Sequence, residues 1–466
     1  MSHYLADLVA PLDALLLKGD ADPSTRAIMN SALMLDAVPD AAALEEAFER
    51  ASYAVPRMRQ RVAETGWTRA RQTWVPDDSF DVRGHIRRVG APGGRSLNAV
   101  LEMASAFATT PFDPARPLWD ATVVTGVEGD RGVVLLRVHH AVADGVRALE
   151  MMANLLDLEP APARDQPPAR EERASALTTA GRRWARTTGQ VLSIRQQRVD
   201  SVARWAFEAS WRPVQALSGA GRYARSVLRT YAPRGAEPSP LMRSRSRDRR
   251  LAVLELPLAQ VREVARAHSA TVNDLFLTAL LGGLRIYHER LGVRAPDLPI
   301  AFPINIVGDA AQESGNHFSA GVIPGPSSVE DPLERLRLVH ELVAARRQEP
   351  GIDAPLRLAP LVQQVPPRVA TLALSAYARR VDLQASNIIG PDCALYLAGV
   401  RVERFYAFGP LPGIPIMAVL VSYDGTCTVG FTFDPASVTE PELLVESVVT
   451  AFAELGVEAA APDDAT

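Results

Sequence analysis

The sequence predicts an α/β protein whose β-sheets are mixed and flanked by helices. Some predicted strands pair as a hairpin and others alternate with helices, which is the pattern of mixed sheets in an α/β sandwich. The length of 466 residues allows two domains with substantial cores. A composition of 47% hydrophobic and 22% charged residues is ordinary for a globular protein.

The first predicted unit spans residues 1–158. Residues 128–132 read Glu-Gly-Asp-Arg-Gly, which is turn composition, so the strands on either side are predicted to form an antiparallel hairpin. Helical spacing of apolar residues and strand-like apolar runs define the other elements. The predicted helices are 41–53, 97–107 and 146–156, and the predicted strands are 121–127 and 133–138.

A predicted connection follows at residues 159–248. Its first part, 159–173, is rich in Pro, Ala and charge, which is typical of a linker. Residues 182–234 carry eleven arginines against two acidic residues, with aromatic residues between them. This stretch is either a solvated helical connection or a basic amphipathic surface that binds anionic lipid or a lipid droplet.

The second folded unit is predicted at residues 249–456, followed by a flexible tail at 457–466. Thr271 and Asp274 form a capping-box pattern that marks the start of a helix. The other elements follow from periodicity. The predicted strands are 251–256, 298–306, 318–323, 416–422 and 428–433, and the predicted helices are 257–267, 333–347, 369–379 and 440–455.

Composition argues against several classes of protein. A net charge of −4 gives no indication of nucleic-acid binding. Cys393 and Cys427 make neither a disulfide framework nor a metal-ligand pattern, which favours a reducing, cytoplasmic compartment. The N-terminus has no signal-peptide pattern, and no apolar run reaches membrane-spanning length. We expect neither a metal nor a bound redox cofactor.

The most informative segment is the apolar strand that runs into His139 and His140, followed by Asp144 and Gly145. Side chains alternate along a strand, so the two imidazoles are expected to point in opposite directions. Histidine is well suited to remove a proton from a hydroxyl near neutral pH, and we predict acyl transfer with His140 as general base and His139 mainly structural.

Asp144 and Gly145 complete the pattern. Asp144 either contributes to the site, caps the following helix or forms a buried ion pair that shapes the loop. Gly145 allows close backbone approach or an unusual φ. The chain has no Gly-x-Ser-x-Gly elbow, and neither cysteine has a motif that marks a nucleophile. The sequence therefore favours direct transfer from a thioester without a covalent enzyme intermediate.

These residues resemble a known family. His139-His140-x-x-x-Asp144-Gly145 is similar to the signature of acyltransferases related to chloramphenicol acetyltransferase and peptide-synthetase condensation domains. Further segments resemble elements of the bacterial wax ester synthase/diacylglycerol acyltransferase family. They are Pro117-Leu118-Trp119, Asn273-Asp274, Ser386-Asn387-Ile388-Ile389-Gly390-Pro391, residues 11–14, residues 55–59 and residues 422–425.

The resemblance implies a fold of two chloramphenicol-acetyltransferase-like lobes, each a mixed β-sheet flanked by helices, with a substrate tunnel between them. Acyl-CoA would be the co-substrate, and diacylglycerol or a long-chain alcohol the acceptor. Asn273 would polarise the thioester carbonyl or shape the site, although its alternative role is hydrogen bonding at the helix start. Asp274 is grouped with the substrate-binding residues.

Two further elements are also placed at the substrate by the resemblance. Ser386, Asn387, Gly390 and Pro391 would form the tunnel wall. Pro117, Leu118 and Trp119 are grouped with the substrate-binding residues, and their expected contribution is packing that supports the histidine loop.

The chain departs from the family pattern at two positions. Ile389 stands where the family usually has proline. Val307 stands where a family strand often ends in arginine, so Asp144 would need another partner. Val307 and the basic segment 182–234 favour one alternative function, a non-catalytic lipid-binding or lipid-droplet protein. An enzyme of the same fold gives the other alternative, a condensation-type acyltransferase that uses a carrier-protein thioester.

Overall fold

Two six-stranded β-sheets, together with a smaller three-stranded sheet, organise the described part of this computed structural model. The structure describes residues 7–65, 71–143, 145–160, 221–223, 225–230, 235–305, 318–349, 351, 354, 372 and 375–459.

The strands are numbered in chain order. They are β1 (Asp7–Leu8), β2 (Ile28–Leu35), β3 (Gln60–Thr65), β4 (Arg71–Pro76), β5 (Ile86–Gly90), β6 (Trp119–Val127), β7 (Arg131–His139), β8 (Arg250–Pro257), β9 (Leu298–Asn305), β10 (Phe318–Gly325), β11 (Leu383–Ile389), β12 (Tyr396–Leu397), β13 (Val400–Phe408), β14 (Ile416–Tyr423) and β15 (Thr426–Phe433).

The helices are numbered in the same way. They are α1 (Pro11–Gly19), α2 (Ala41–Ala54), α3 (Leu97–Ala108), α4 (Gly145–Leu155), α5 (Leu258–Ala267), α6 (Val272–Arg290), α7 (Pro332–Arg347) and α8 (Pro441–Glu454). Short 3₁₀ turns occur as well, among them Pro23–Thr25 and Pro56–Arg59.

The first sheet has the order β12-β13-β2-β7-β6-β5 and contains the histidine-bearing strand. Strand β7 lies between β2 and β6 and is antiparallel to both. From Gly132 to His139 every residue of β7 is buried, because α2 and α4 cover one face of the sheet and α3 with β8 covers the other. A central strand covered on both faces explains the continuous apolar run in the sequence.

The second sheet has the order β10-β9-β11-β14-β15-β8. Strands β11 and β14 are parallel, whereas β14 and β15 form a hairpin in which Tyr423 pairs with Thr426. Asp424 and Gly425, the two turn residues, have φ of 44° and 81°. An Asp-Gly turn with both φ values positive matches the right-handed twist of the two strands. Helices α6 and α8 contribute to the core on this sheet.

Strand β13 connects the two sheets. It belongs to the second half of the chain but pairs with β2 of the first sheet. It also contacts the second sheet, because Thr428 Oγ1 donates to the Phe405 carbonyl at 2.6 Å and Tyr423 Oη donates to the Val402 carbonyl at 2.8 Å. These contacts fix one lobe against the other.

Most sequence predictions of secondary structure are confirmed. The 121–138 hairpin forms, the helix after the histidines begins at Gly145, and the capping box at Thr271 is complete on both sides. The prediction omitted several strands, including β2 and β13, because polar residues interrupt the continuous apolar runs on which it relied. Residues 161–220 lie outside the described residues, and so do 369–371, 373 and 374 of the predicted helix 369–379. Among the described residues, no helix is long and apolar enough to cross a membrane.

Candidate active site

The two histidines lie where β7 ends, and their main chain is held on both sides. The His139 N–H donates to the Leu118 carbonyl at 2.9 Å, and the His140 N–H donates to the Ala27 carbonyl at 2.8 Å. The Val142 N–H then donates back to the His139 carbonyl at 2.8 Å, which closes a tight turn. The central position of β7 thus fixes the backbone of the histidine pair.

The His139 side chain is completely buried. Its Nδ1 accepts a hydrogen bond from the Ala141 N–H at 3.1 Å. Its Nε2 lies 3.1 Å from Oδ2 of Asp20, outside the direction of a good hydrogen bond, so that contact is electrostatic. The His139 ring is therefore enclosed by the protein, and its mainly structural role stays a prediction.

His140 is partly exposed, in contrast to its neighbour. Asp144, the acidic residue of the motif, lies outside the described residues, and so does Val307. Gly145 is the first residue of α4. The roles assigned to these residues stay predictions.

Arg57 holds the loop that follows His140. Its Nη1 donates to the Ala141 carbonyl at 2.8 Å and to Oδ2 of Asp13 at 3.1 Å. The Asp13 side chain is 1% exposed and that of Arg57 14% exposed, so the pair is largely removed from water. The guanidinium also lies 5.0 Å from the centre of the Trp74 ring. Sequence analysis singled out residues 11–14 and 55–59 without giving either segment a role.

The Pro117-Leu118-Trp119 element supports β7 from the side of β6. Leu118 and Trp119 are buried, and Trp119 pairs with Val138 one residue before the histidines. The Trp119 Nε1 donates to the Met58 carbonyl at 2.8 Å, next to Arg57. These contacts pack the element against β7 and the 3₁₀ turn at Met58, and its grouping with the substrate-binding residues stays a prediction.

An imidazole stacks on the same tryptophan. The His85 and Trp119 rings are 4.6 Å apart, and Nδ1 of His85 donates to the Trp119 carbonyl at 2.8 Å. Burial lowers the pKa of His85, because the charged form would lose its hydration. His85 is therefore a neutral packing residue, and the sequence analysis did not single it out.

Asn273 and Asp274 lie in the first turn of α6 and have different surroundings. Asp274 Oδ2 accepts from the Thr271 N–H at 3.0 Å and lies 2.9 Å from Nδ1 of His340, so it caps the helix and joins α6 to α7. The Nδ2 of Asn273 is buried and has no hydrogen-bond partner among the described residues. A buried amide donor without a partner is costly, which makes a ligand oxygen a reasonable partner for it.

The Ser386–Pro391 element forms the end of β11 and the turn beyond it. Ser386 pairs with Val419 and Asn387 with Leu420, so β14 fixes both residues. A Cβ on Gly390 would lie 2.3 Å from the Ser422 carbonyl oxygen, which only glycine avoids. The Pro391 carbonyl accepts from the Asp424 N–H at 3.1 Å, so this element is tied to the 422–425 turn.

Two further side chains of this sheet, Ile389 and Cys427, differ in exposure. Ile389 is 78% exposed at the end of β11, at the position where the sequence departs from the family pattern. Burial raises the pKa of the Cys427 thiol to about 12. Since the thiolate is the nucleophilic form, Cys427 is unsuited to covalent catalysis.

The protein has the two-lobed fold that is found in solved acyltransferases and condensation domains. The solved wax ester synthase/diacylglycerol acyltransferase from Marinobacter aquaeolei VT8 has a TM-score of 0.63 and 18% identity, with 96% of this chain and 98% of that one covered. The first condensation domain of the calcium-dependent antibiotic synthetase has a TM-score of 0.57 and 17% identity, with 99% and 98% covered. At these identities the similarity establishes the fold.

Sequence comparison gives the family. Residues 10–276 match the wax ester synthase/diacylglycerol acyltransferase catalytic domain, and residues 314–456 match the C-terminal domain of that family. A Mycobacterium tuberculosis protein provisionally named diacylglycerol O-acyltransferase is 36% identical over 467 residues, which cover 99% of this chain and 94% of that protein. A second such protein from the same organism is 30% identical, with 78% of each chain covered. The chain belongs to the wax ester synthase/diacylglycerol acyltransferase family and is an O-acyltransferase.

Proposed function

We propose that this O-acyltransferase transfers a long-chain acyl group from acyl-CoA to diacylglycerol or a long-chain alcohol, with His140 as the general base. The observation that carries the proposal is the difference between the two histidines. The ring of His139 is completely buried between the Ala141 N–H and Asp20, whereas His140 is partly exposed on a backbone fixed by Ala27. Only the second imidazole is therefore accessible to a substrate hydroxyl.

The reaction follows from these groups. The neutral imidazole of His140 takes the proton of the acceptor hydroxyl as its oxygen attacks the thioester carbonyl carbon. The resulting tetrahedral oxyanion collapses with cleavage of the carbon–sulfur bond. The CoA sulfur leaves and receives the proton from His140, so the ester and free CoA are formed and the enzyme returns to its starting state.

Asn273 is the proposed donor to the oxyanion. Its Nδ2 is a buried donor without a partner among the described residues, so it can donate to a ligand oxygen without first breaking another hydrogen bond. Donors that are fixed before the reaction stabilise developing charge most effectively. A thioester is already activated, so the proposed mechanism requires neither a metal nor a bound redox cofactor.

The substrates imply where the protein acts. Long-chain alcohols and diacylglycerol reside in lipid, so we propose a cytoplasmic enzyme that binds peripherally to a membrane or lipid-droplet surface. The arginine-rich stretch 182–234 is the proposed contact with anionic lipid. No nucleic-acid partner is proposed for a chain of net charge −4.

The test is thiol release from palmitoyl-CoA with hexadecanol or dipalmitoylglycerol as the acceptor. Wild type is expected to release CoA only when an acceptor is present. His140→Ala is expected to lose about 10²- to 10⁴-fold in kcat, which is the usual contribution of a positioned general base. His268→Ala is the matched control, because His268 is an exposed histidine at the end of α5.

Each outcome has a definite meaning. Full turnover in a folded His140→Ala protein would refute the general-base assignment. Wild-type protein that binds palmitoyl-CoA and acceptor without releasing thiol would refute the proposed transfer and favour a lipid-binding protein. Transfer only from a carrier-protein thioester would favour the condensation-type alternative.

A further inference from the structure

Asp20, just after α1, contacts both His139 and Ala27, the two residues whose polar groups hold the backbone at His140 and Ala141. Its Oδ2 lies 3.1 Å from Nε2 of His139, and its Oδ1 accepts from the Ala27 N–H at 3.3 Å. We propose that Asp20 is a positioning residue for His140, acting through His139 and Ala27. The proposal rests on the proposed function, since it concerns the same base.

The first connection between Asp20 and His140 is the tautomer of the His139 ring, that is, which ring nitrogen carries the proton. The Ala141 N–H can only donate, so Nδ1 of His139 must carry a lone pair, and the ring proton of the neutral imidazole lies on Nε2. Nε2 lies 3.1 Å from Asp20 Oδ2; the N–H is not aligned for a hydrogen bond, but its partial positive charge is attracted to the carboxylate at that distance. In the other tautomer the Nε2 lone pair would lie at the same short distance and be repelled by the carboxylate, and the Ala141 N–H would lose its acceptor. Asp20 therefore selects the tautomer that holds the loop, as carboxylates do for histidines elsewhere.

The second connection runs through Ala27. The Ala27 N–H donates to Asp20, and the Ala27 carbonyl accepts from the His140 N–H at 2.8 Å. Asp20 thereby restrains Ala27 on its N–H side, and the carbonyl in the next peptide group of Ala27 receives the N–H of the base. Ala27 immediately precedes β2, whose residue Ile28 pairs with His139, so the connection is continuous with the sheet.

Three hydrogen bonds restrain the backbone at His140 and Ala141. The Ala27 carbonyl accepts from the His140 N–H, and Nδ1 of His139 accepts from the Ala141 N–H. Arg57 donates to the Ala141 carbonyl. Two of these three restraints depend on Asp20. A displacement of about 1 Å at a catalytic group can cost about 10²-fold in rate, so loss of Asp20 should lower kcat.

Three variants separate the two connections. Asp20→Asn removes the charge but keeps an oxygen for the Ala27 N–H, whereas Asp20→Ala removes both. His139→Asn places a side-chain oxygen near the position of Nδ1, so it can accept from Ala141 without any choice of tautomer. Asp22→Ala is the matched control, because Asp22 lies in the same loop and its side chain accepts from the N–H and Oγ of Ser24 instead.

We expect Asp20→Ala to lower kcat about 10- to 100-fold with little change in the KM for palmitoyl-CoA. Asp22→Ala should retain wild-type kcat. Asp20→Asn should lower kcat in the wild-type background and have no effect in the His139→Asn background, because the tautomer no longer matters there. Equal kcat in Asp20→Ala and Asp22→Ala, or the same cost of Asp20→Asn in both backgrounds, would overturn the proposal.

A measurement independent of turnover keeps this proposal separate from the proposed function. NMR of protein labelled with ¹⁵N in the histidine rings reports which ring nitrogen carries the proton. We expect His139, assigned by the loss of its signals in His139→Asn, to be protonated on Nε2 in wild type and to lose that preference in Asp20→Ala. A proton on Nδ1 in wild type would overturn the proposal even if acyl transfer is observed. Failure of wild type to release thiol would instead contradict the proposed function.

Discussion

Replacement of Arg57 by glutamine should destabilise the protein and damage the site together. The side chains of Arg57 and Asp13 are 14% and 1% exposed, so the substitution removes the cation that is paired with a buried carboxylate. Breaking a buried ion pair from one side costs about 3–5 kcal/mol of unfolding free energy. The Ala141 carbonyl also loses a donor at 2.8 Å, directly after His140.

Arg59→Gln provides the matched control, because Arg59 lies in the same 3₁₀ turn. Arg59 forms an ion pair with Glu49 at 2.8 Å and its guanidinium lies over two aromatic rings, as that of Arg57 lies over one. Its pair is more exposed, at 29% and 36%, and exposed pairs contribute about 0–1 kcal/mol. The two variants should therefore differ by about 3 kcal/mol in unfolding free energy.

Urea denaturation followed by circular dichroism would measure that difference, and thiol release from the folded fraction would measure its effect on the site. Arg57→Lys should recover only part of both losses, because an ammonium lacks the planar geometry of the guanidinium. Equal destabilisation by Arg57→Gln and Arg59→Gln, or full turnover in folded Arg57→Gln, would refute the reasoning.

Three further substitutions test other parts of the fold. Trp119→Phe removes the donor to the buried Met58 carbonyl and should lower the free energy of unfolding by about 1–3 kcal/mol; an unchanged Tm in thermal unfolding would contradict this. Gly390→Ala should destabilise by about 1–3 kcal/mol, because its Cβ would overlap the Ser422 carbonyl oxygen, whereas Gly90→Ala has open space and should be neutral. Burial raises the pKa of Asp382 to about 6 from 3.8, so the folded state binds this proton more tightly and stability should fall as pH rises from about 4 through 6. At 1.36 kcal/mol for each pH unit the fall is about 3 kcal/mol at most; Asp382→Asn should abolish it, and an identical pH profile of urea midpoints in the variant would disprove the assignment.

Much of the local structure follows from the sequence alone. The apolar run before His139, the turn at residues 128–132 and the Thr271–Asp274 cap each depend on neighbours within a few residues, and the structure confirms all three. The motif order also indicated the family, which the comparisons establish. These elements can be predicted because the periodicity of apolar residues and the turn and capping residues lie within a short window of the sequence.

The rest of the site depends on tertiary structure. Arg57 reaches the carbonyl of Ala141 84 residues away, and a backbone carbonyl has no residue-specific signature in a sequence. Asp20 approaches His139 only because β2 lies next to β7, and β2 itself escaped prediction. The sequence determined which strand carries the histidines and where it ends. The fold decided which imidazole is buried and which groups hold the loop, because those choices follow from contacts between segments that only chain folding brings together.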